Sequence, residues 1–199
     1  MRSIPGGGTV ATAPHPTHFA SLNASTSPQG GGERIAPMDQ SDFANLVARF
    51  GAAATSGDAR ALAACFTEDG IYYDYIYGPH QGRASIEDML VNLFQRDAAD
   101  YDWRFFDPVV SGNMGYARSL SRFISKIPEF AGREIVIDGI SRFVLRDGLI
   151  GEYHESVNGG VAMAQLGVAP ERMAKVMRRW ADRFLATDET SAYRARFSK

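Results

Sequence analysis

Three titratable side chains in this sequence stand where they could move a proton. Asp74 lies in a run of β-forming residues, 71–76, and precedes a Gly/Pro-rich loop that ends at Gly82. Strand alternation puts it on one face with Tyr72 and Ile76. A carboxyl in an apolar wall holds its proton toward neutral pH, which suits a general acid or base. The same position also suits a loop anchor that accepts hydrogen bonds from backbone N–H groups just downstream. His154 lies in Leu149-Ile150-Gly151-Glu152-Tyr153-His154-Glu155-Ser156-Val157-Asn158. Even positions group Ile150, His154 and Asn158, and the charged Glu152 among them signals a bulge or a sheet edge. A His154–Asp74 pair could serve a dehydratase or an isomerase; the other reading is a histidine on the outer face of the sheet. His80, in Gly78-Pro79-His80-Gln81-Gly82, either gates or binds a ligand at a rim or is simply exposed. Tyr72, Tyr73, Tyr75 and Tyr77 beside Asp74 could line a site for a planar ligand, or divide between core and subunit interface.

These residues need a scaffold, and hydrophobic periodicity supplies one. Phe43, Leu46, Val47, Phe50 and Ala54 recur at three- and four-residue steps behind Ser41 or Asp42, a capped helix stopped by Gly57. Asp58 caps a short second helix with Leu62, Ala63 and Phe66 on one side. Asp69-Gly70 is a turn signal. Residues 84–98 form a helix with Ile86, Met89, Leu90, Leu93 and Phe94 inward. Four strand-like stretches follow, 101–110, 115–127, 133–146 and 149–157, with an Asp147-Gly148 hairpin between the last two. In the third, Ile135, Ile137, Phe143 and Leu145 share the inner face with Ser141. In the second, Ala117, Ser119, Ser121 and Phe123 alternate with Tyr116, Arg118, Leu120 and Arg122, and if the small set faces inward the cavity is roomy. Two helices close the series, 161–166 and one after Pro170 striped by Met173, Val176, Met177, Trp180 and Phe184. This order predicts an α+β domain over 38–185, a cone-shaped curved antiparallel sheet packed against helices around an apolar small-molecule pocket. Residues 1–37, rich in Gly and Pro, read as a disordered extension, with Met38 a candidate natural start; residues 186–199 read as a frayed tail.

Composition bounds the partners. The 199 residues carry a formal net charge of −2, which gives no general pull toward nucleic acid or acidic membranes. No run approaches a membrane span, and the first residues lack a signal-peptide pattern, so the cytoplasm is the expected location. The single cysteine, Cys65, sits on an apolar helical pattern as a buried small hydrophobe or a reactive thiol. His15 and His18 have no neighbouring ligand-type residues, and no metal is expected. The polar side of the last helix is basic through Arg172, Lys175, Arg178, Arg179 and Arg183, a solvated face or an anionic contact. No phosphate loop, dinucleotide fingerprint or nucleophile elbow occurs, so no cofactor is expected.

Several landmarks then match one family in order: Ser56-Gly57-Asp58, Phe66-Thr67-Glu68-Asp69-Gly70, Tyr73-Asp74, Gly82-Arg83-Ala84-Ser85-Ile86, Arg146-Asp147-Gly148-Leu149-Ile150 and Ala164-Gln165-Leu166-Gly167. Over about residues 41–184 the chain resembles the nuclear transport factor 2-like superfamily, in its SnoaL-like branch. The resemblance implies a cone with one pocket, hosting isomerases, cyclases, dehydratases and epoxide hydrolases, but also transport factors and subunits without chemistry. It places Asp74 at the spacing from Gly57 of the ketosteroid isomerase general base. It also places Phe50 and Ser141 where that enzyme carries its oxyanion donors, which they cannot replace in kind. Asn158 falls where related epoxide hydrolases and cyclases carry an acid; an amide binds a carbonyl or hydroxyl but cannot take a proton. The implied ligand-contacting set is Tyr72, Phe50, His80, Ser141, Phe143 and Asn158, the ligand a small apolar carbonyl or hydroxyl compound. A homodimer through the arginine-bearing outer sheet face is implied as well. The alternatives to an enzyme are a non-catalytic binding module and an accessory subunit.

Overall fold

A computed structural model describes residues 38–197. Expectations for residues 1–37, including His15 and His18, lie outside the described residues. Two units are distinguished, one ending at Arg178 and one beginning at Arg179.

In the first unit, α1 (Gln40–Ser56) begins at Asp39 rather than at Ser41 or Asp42, the Asp39 carboxylate accepting from the Asp42 N–H at 2.8 Å. It ends at Gly57, whose φ of 72° is the left-handed value that glycine adopts without strain. Asp58 caps α2 (Ala59–Ala64) as expected. The chain then enters β1 (Phe66–Asp74) and β2 (Gly78–Gln81), the second formed where a loop was expected. One helical segment follows in three pieces: α3 (Arg83–Met89), a π-helical turn (Leu90–Phe94) and α4 (Gln95–Asp97). The long strands are β3 (Ala98–Ser111), β4 (Met114–Ser125), β5 (Glu134–Arg146) and β6 (Leu149–Val157). Asp147 and Gly148 turn between the last two with φ of 54° and 75°, both positive as a tight hairpin requires. α5 (Gly159–Gln165) follows.

The six strands form one open sheet in the order β2-β1-β6-β5-β4-β3. The pattern is α+β with a curved sheet against helices, but the sheet is mixed: β1 runs parallel to β6, and every other pair is antiparallel. The cause is the crossover from β1 through α3 and the β3–β5 meander, which returns β6 beside β1 in the same direction. The curvature follows from one residue. Phe50 of α1 lies 6.3 Å from the Tyr72 ring on β1 and 5.6 Å from the Phe105 ring on β3. Those strands are four places apart, about 19 Å in a flat sheet. One side chain reaches both because the sheet curls around α1. Bulges in β3 at left-handed Asp100 and Asp107 help it bend.

The core between α1 and the sheet is aromatic, with Phe43, Phe50, Phe66, Tyr72, Phe143 and Tyr153 fully buried. The small set on β4 does face inward, Ala117 and Ser119 being buried. Gly115 leaves room for the Phe43 ring, which any Cβ there would strike. Cys65 is buried, and its thiol donates to the Ala61 carbonyl. Burial raises its pKa, so it matches the hydrophobe reading.

The second unit holds the end of α6 (Pro170–Leu185) and α7 (Asp188–Ala195). The expected frayed tail therefore contains a helix. Thr187 caps it, and Asp188 and Glu189 occupy the first turn, so end chemistry forms it without an apolar stripe.

Candidate functional site

The inner sheet face brings polar groups together beside the aromatic core. Tyr72 and Asp74 come from β1, Ser141 and Phe143 from β5, and Tyr153 and Glu155 from β6. Cross-strand register sets Tyr72 beside Tyr153, Phe143 opposite Tyr153, and Ser141 opposite Glu155. The Tyr153 hydroxyl donates to Glu155 Oε1 at 2.7 Å, and the Tyr72 hydroxyl reaches the same oxygen at 3.4 Å. Ser141 Oγ lies 2.9 Å from the Tyr153 hydroxyl. Tyr153 has one proton to give, so when it donates to Glu155 the serine must donate to it. A directed chain results, Ser141 to Tyr153 to Glu155.

Two acids share this face. Glu155 is pushed up to about 7, by burial first and by the Asp74 charge second, against the two tyrosine hydrogen bonds that stabilise its anion. Asp74 is also raised by burial, but Tyr77 and Ile76 oppose this by donating backbone N–H groups to Asp74 Oδ1 at 2.6 and 2.7 Å. The two titrate as a coupled pair. Asp74, with two short amide donors, is the member suited to ionise first, leaving Glu155 to hold the proton. Tyr72 and Tyr153 are held well above the usual tyrosine range by burial and then by the Glu155 charge, so they remain donors at working pH.

The structure thus gives Asp74 the loop-anchoring contacts foreseen as its alternative reading, while keeping it beside Tyr72 as expected. Phe50 closes one side, its ring 4.8 Å from Tyr153. Phe143 packs 5.1 Å from Tyr153 and is fully buried. His80 sits on β2 directly across from Tyr72. Its Nε2 is buried without a hydrogen-bond partner, as is the Trp103 indole nitrogen, and burial lowers the His80 pKa.

Two expected residues fall elsewhere. His154 does not meet Asp74. It is on the opposite sheet face, stacked on Tyr73 at 4.1 Å with its Nε2 3.2 Å from Glu152. The reason is the bulge that Glu152 had signalled. Register passes from Val144–Glu152 to Leu145–Ile150 and leaves Gly151 as the extra residue. Alternation therefore flips after Ile150, so Tyr153 and Glu155 point inward and His154 outward. Asn158 is exposed and caps α5, accepting from the Val161 N–H at 3.3 Å. Glu155 and Tyr153 are the residues that sequence reasoning missed; restarting the alternation after Gly151 would have found both. Among the described residues no group of three or more His, Cys, Asp or Glu side chains is placed to hold a metal ion.

The sequence profile of the SnoaL-like domain matches residues 47–153. The chain belongs to the SnoaL-like domain family. No curated protein matches the chain. Solved structures share the fold. A Catenulispora acidiphila protein with a ketosteroid isomerase-like fold, in complex with trimethylamine, is 18% identical with a TM-score of 0.57, over 62% of this chain and 93% of that one. IdmH from Streptomyces antibioticus, described as a candidate polyketide cyclase, is 22% identical with a TM-score of 0.53, over 63% and 98%. An LEH-like epoxide hydrolase from M. tuberculosis is 13% identical with a TM-score of 0.53, over 63% and 90%.

Proposed function

We propose that this chain is a cofactor-free acid/base enzyme of the isomerase, cyclase or dehydratase type, acting on a small, largely apolar carbonyl or hydroxyl compound. Glu155 carries the proton. The observation behind this reading is the Glu155 carboxyl, pushed up to about 7, held by Tyr153 and Tyr72 and set beside Asp74. A carboxyl that titrates near neutral pH can both take and return a proton within one turnover. Asp74 serves as the charged neighbour that delays Glu155 ionisation and fixes the β1–β2 loop. Phe50 and Phe143 pack as the apolar wall behind Tyr153, and Ser141 orients Tyr153. Proteins that share the fold and are described as a candidate polyketide cyclase and an LEH-like epoxide hydrolase support the class. A cytoplasmic homodimer through the outer sheet face, where Tyr116 and Ile140 are 42% and 49% exposed, belongs to the same reading.

The test is a deuterium-uptake screen by NMR with cyclic ketones, enones and hydroxylated aromatics. Uptake that is lost in Glu155→Gln and kept in His154→Ala supports the proposal. Binding without uptake, equal in wild type and Glu155→Gln, would instead make the protein a ligand-holding module.

A further inference from the structure

α6 has an amphipathic surface that the acid/base site does not use. Met173, Val176, Met177, Trp180 and Phe184 recur at three- and four-residue steps, which sets them on one side of the helix. No α6 residue is fully buried: Met173, Val176 and Trp180 of this stripe are half-buried, while Met177 and Phe184, and Leu185 beside them, are 44%, 65% and 41% exposed. The remaining surface is basic. Arg172, Lys175, Arg178, Arg179 and Arg183 against Glu171 and Asp182 give the helix a net charge of +3, in a chain whose total is −2. At about 100° per residue, Arg172, Arg179 and Arg183 run down one border of the apolar stripe. Arg172 is engaged by Glu129 and lies over the Phe130 ring; the other basic residues extend the positive surface along the helix.

We propose that α6 is an interfacial helix that docks on an anionic lipid surface, apolar stripe toward the acyl region and arginines at the phosphates. Low overall hydrophobicity, a sharp apolar face with Trp and Phe, and an Arg/Lys-rich polar face are the features of helices that lie in a bilayer interface. Arginines bordering the stripe can bury their stems while the guanidinium groups stay at headgroup level. The helix is too short to span a bilayer, and no helix among the described residues is long and apolar enough to do so. A second copy of α6 is a poorer occupant. Two such helices would bring +3 against +3, and the residues flanking the stripe (Ala174 and Ala181 on one border, Arg172, Arg179 and Arg183 on the other) offer no acid–base pairs across a helix seam. The expectation of no membrane partner came from the whole-chain charge, in which this local positive surface is averaged away.

The experiment is vesicle co-sedimentation of the full chain. Phosphatidylcholine vesicles are compared with vesicles containing about one third phosphatidylserine, for wild type and for Met177→Glu/Phe184→Glu. Both substituted positions are exposed, and circular dichroism checks that the variant stays folded. The surface charge should raise partitioning on the order of a hundredfold over neutral vesicles. That gain should collapse in the variant and in about 0.5 M NaCl, where screening is nearly complete. Equal binding to both vesicle types, or anionic binding unchanged in the variant, would overturn the proposal. So would self-association lost in the variant with no vesicle binding in the wild type, which would assign the stripe to a second copy.

Discussion

Replacing Glu155 by Gln should change how stability depends on pH, in a direction set by the raised Glu155 pKa. Glu155 ionises near 4.5 when unperturbed and near about 7 in the folded protein. The native state therefore binds more protons than the unfolded state between those values. Its contribution is fully present below 4.5 and is lost as pH rises through about 7. At about 1.36 kcal/mol per pH unit, full ionisation costs at most about 3 kcal/mol, since the side chain is partly exposed. Asp74, raised by burial, acts in the same direction. His80 and His154, lowered by burial, act oppositely and lose stability as pH falls below the usual histidine value. The two histidines are common to wild type and Glu155→Gln, so to first order they cancel when the two proteins are compared, whereas Asp74 loses its coupled partner in the variant and ionises more readily there. The glutamine can still accept from Tyr153. Urea unfolding at about pH 5 and pH 8 should show the variant gaining on wild type by roughly 2 kcal/mol between the two. A difference that stays constant across that range, or a variant that loses ground at the higher pH, would refute the reasoning.

Other substitutions report on the same construction. Tyr153→Phe removes the donor at 2.7 Å from Glu155 and should raise the Glu155 midpoint by about one pH unit, read by NMR. Asp74→Asn removes the neighbouring charge and should lower that midpoint, so the two variants must move it in opposite directions. Gly115→Ala drives a methyl into the Phe43 ring and should cost about 1–3 kcal/mol in denaturant unfolding. Cys65, 4% exposed and raised by burial, should react with a thiol reagent in the native protein far more slowly than in urea.

The fold was largely legible because its signals are local and repeated. Phe43, Leu46, Val47 and Phe50 mark a helix face by spacing, and Asp147-Gly148 marks a hairpin by backbone preference. The site was less so, because it depends on strand phase. Asp74 and Tyr72 were placed correctly, having no bulge between them. His154 was misplaced because one extra residue, Gly151, inverts every side chain after it, and only pairing with β5 reveals that inversion. Glu155 was missed for the same reason. The parallel β1–β6 pair was also hidden, since local patterning does not encode the direction of a non-local partner.

The central claim is that a carboxyl on the inner sheet face carries a proton near neutral pH. Carbon-detected NMR titration of the Glu155 side chain tests it directly, with Glu155→Gln identifying the resonance. A midpoint close to 7 is expected, with a second inflection from coupling to Asp74. A single transition near 4.5, the unperturbed glutamate value, would contradict the claim.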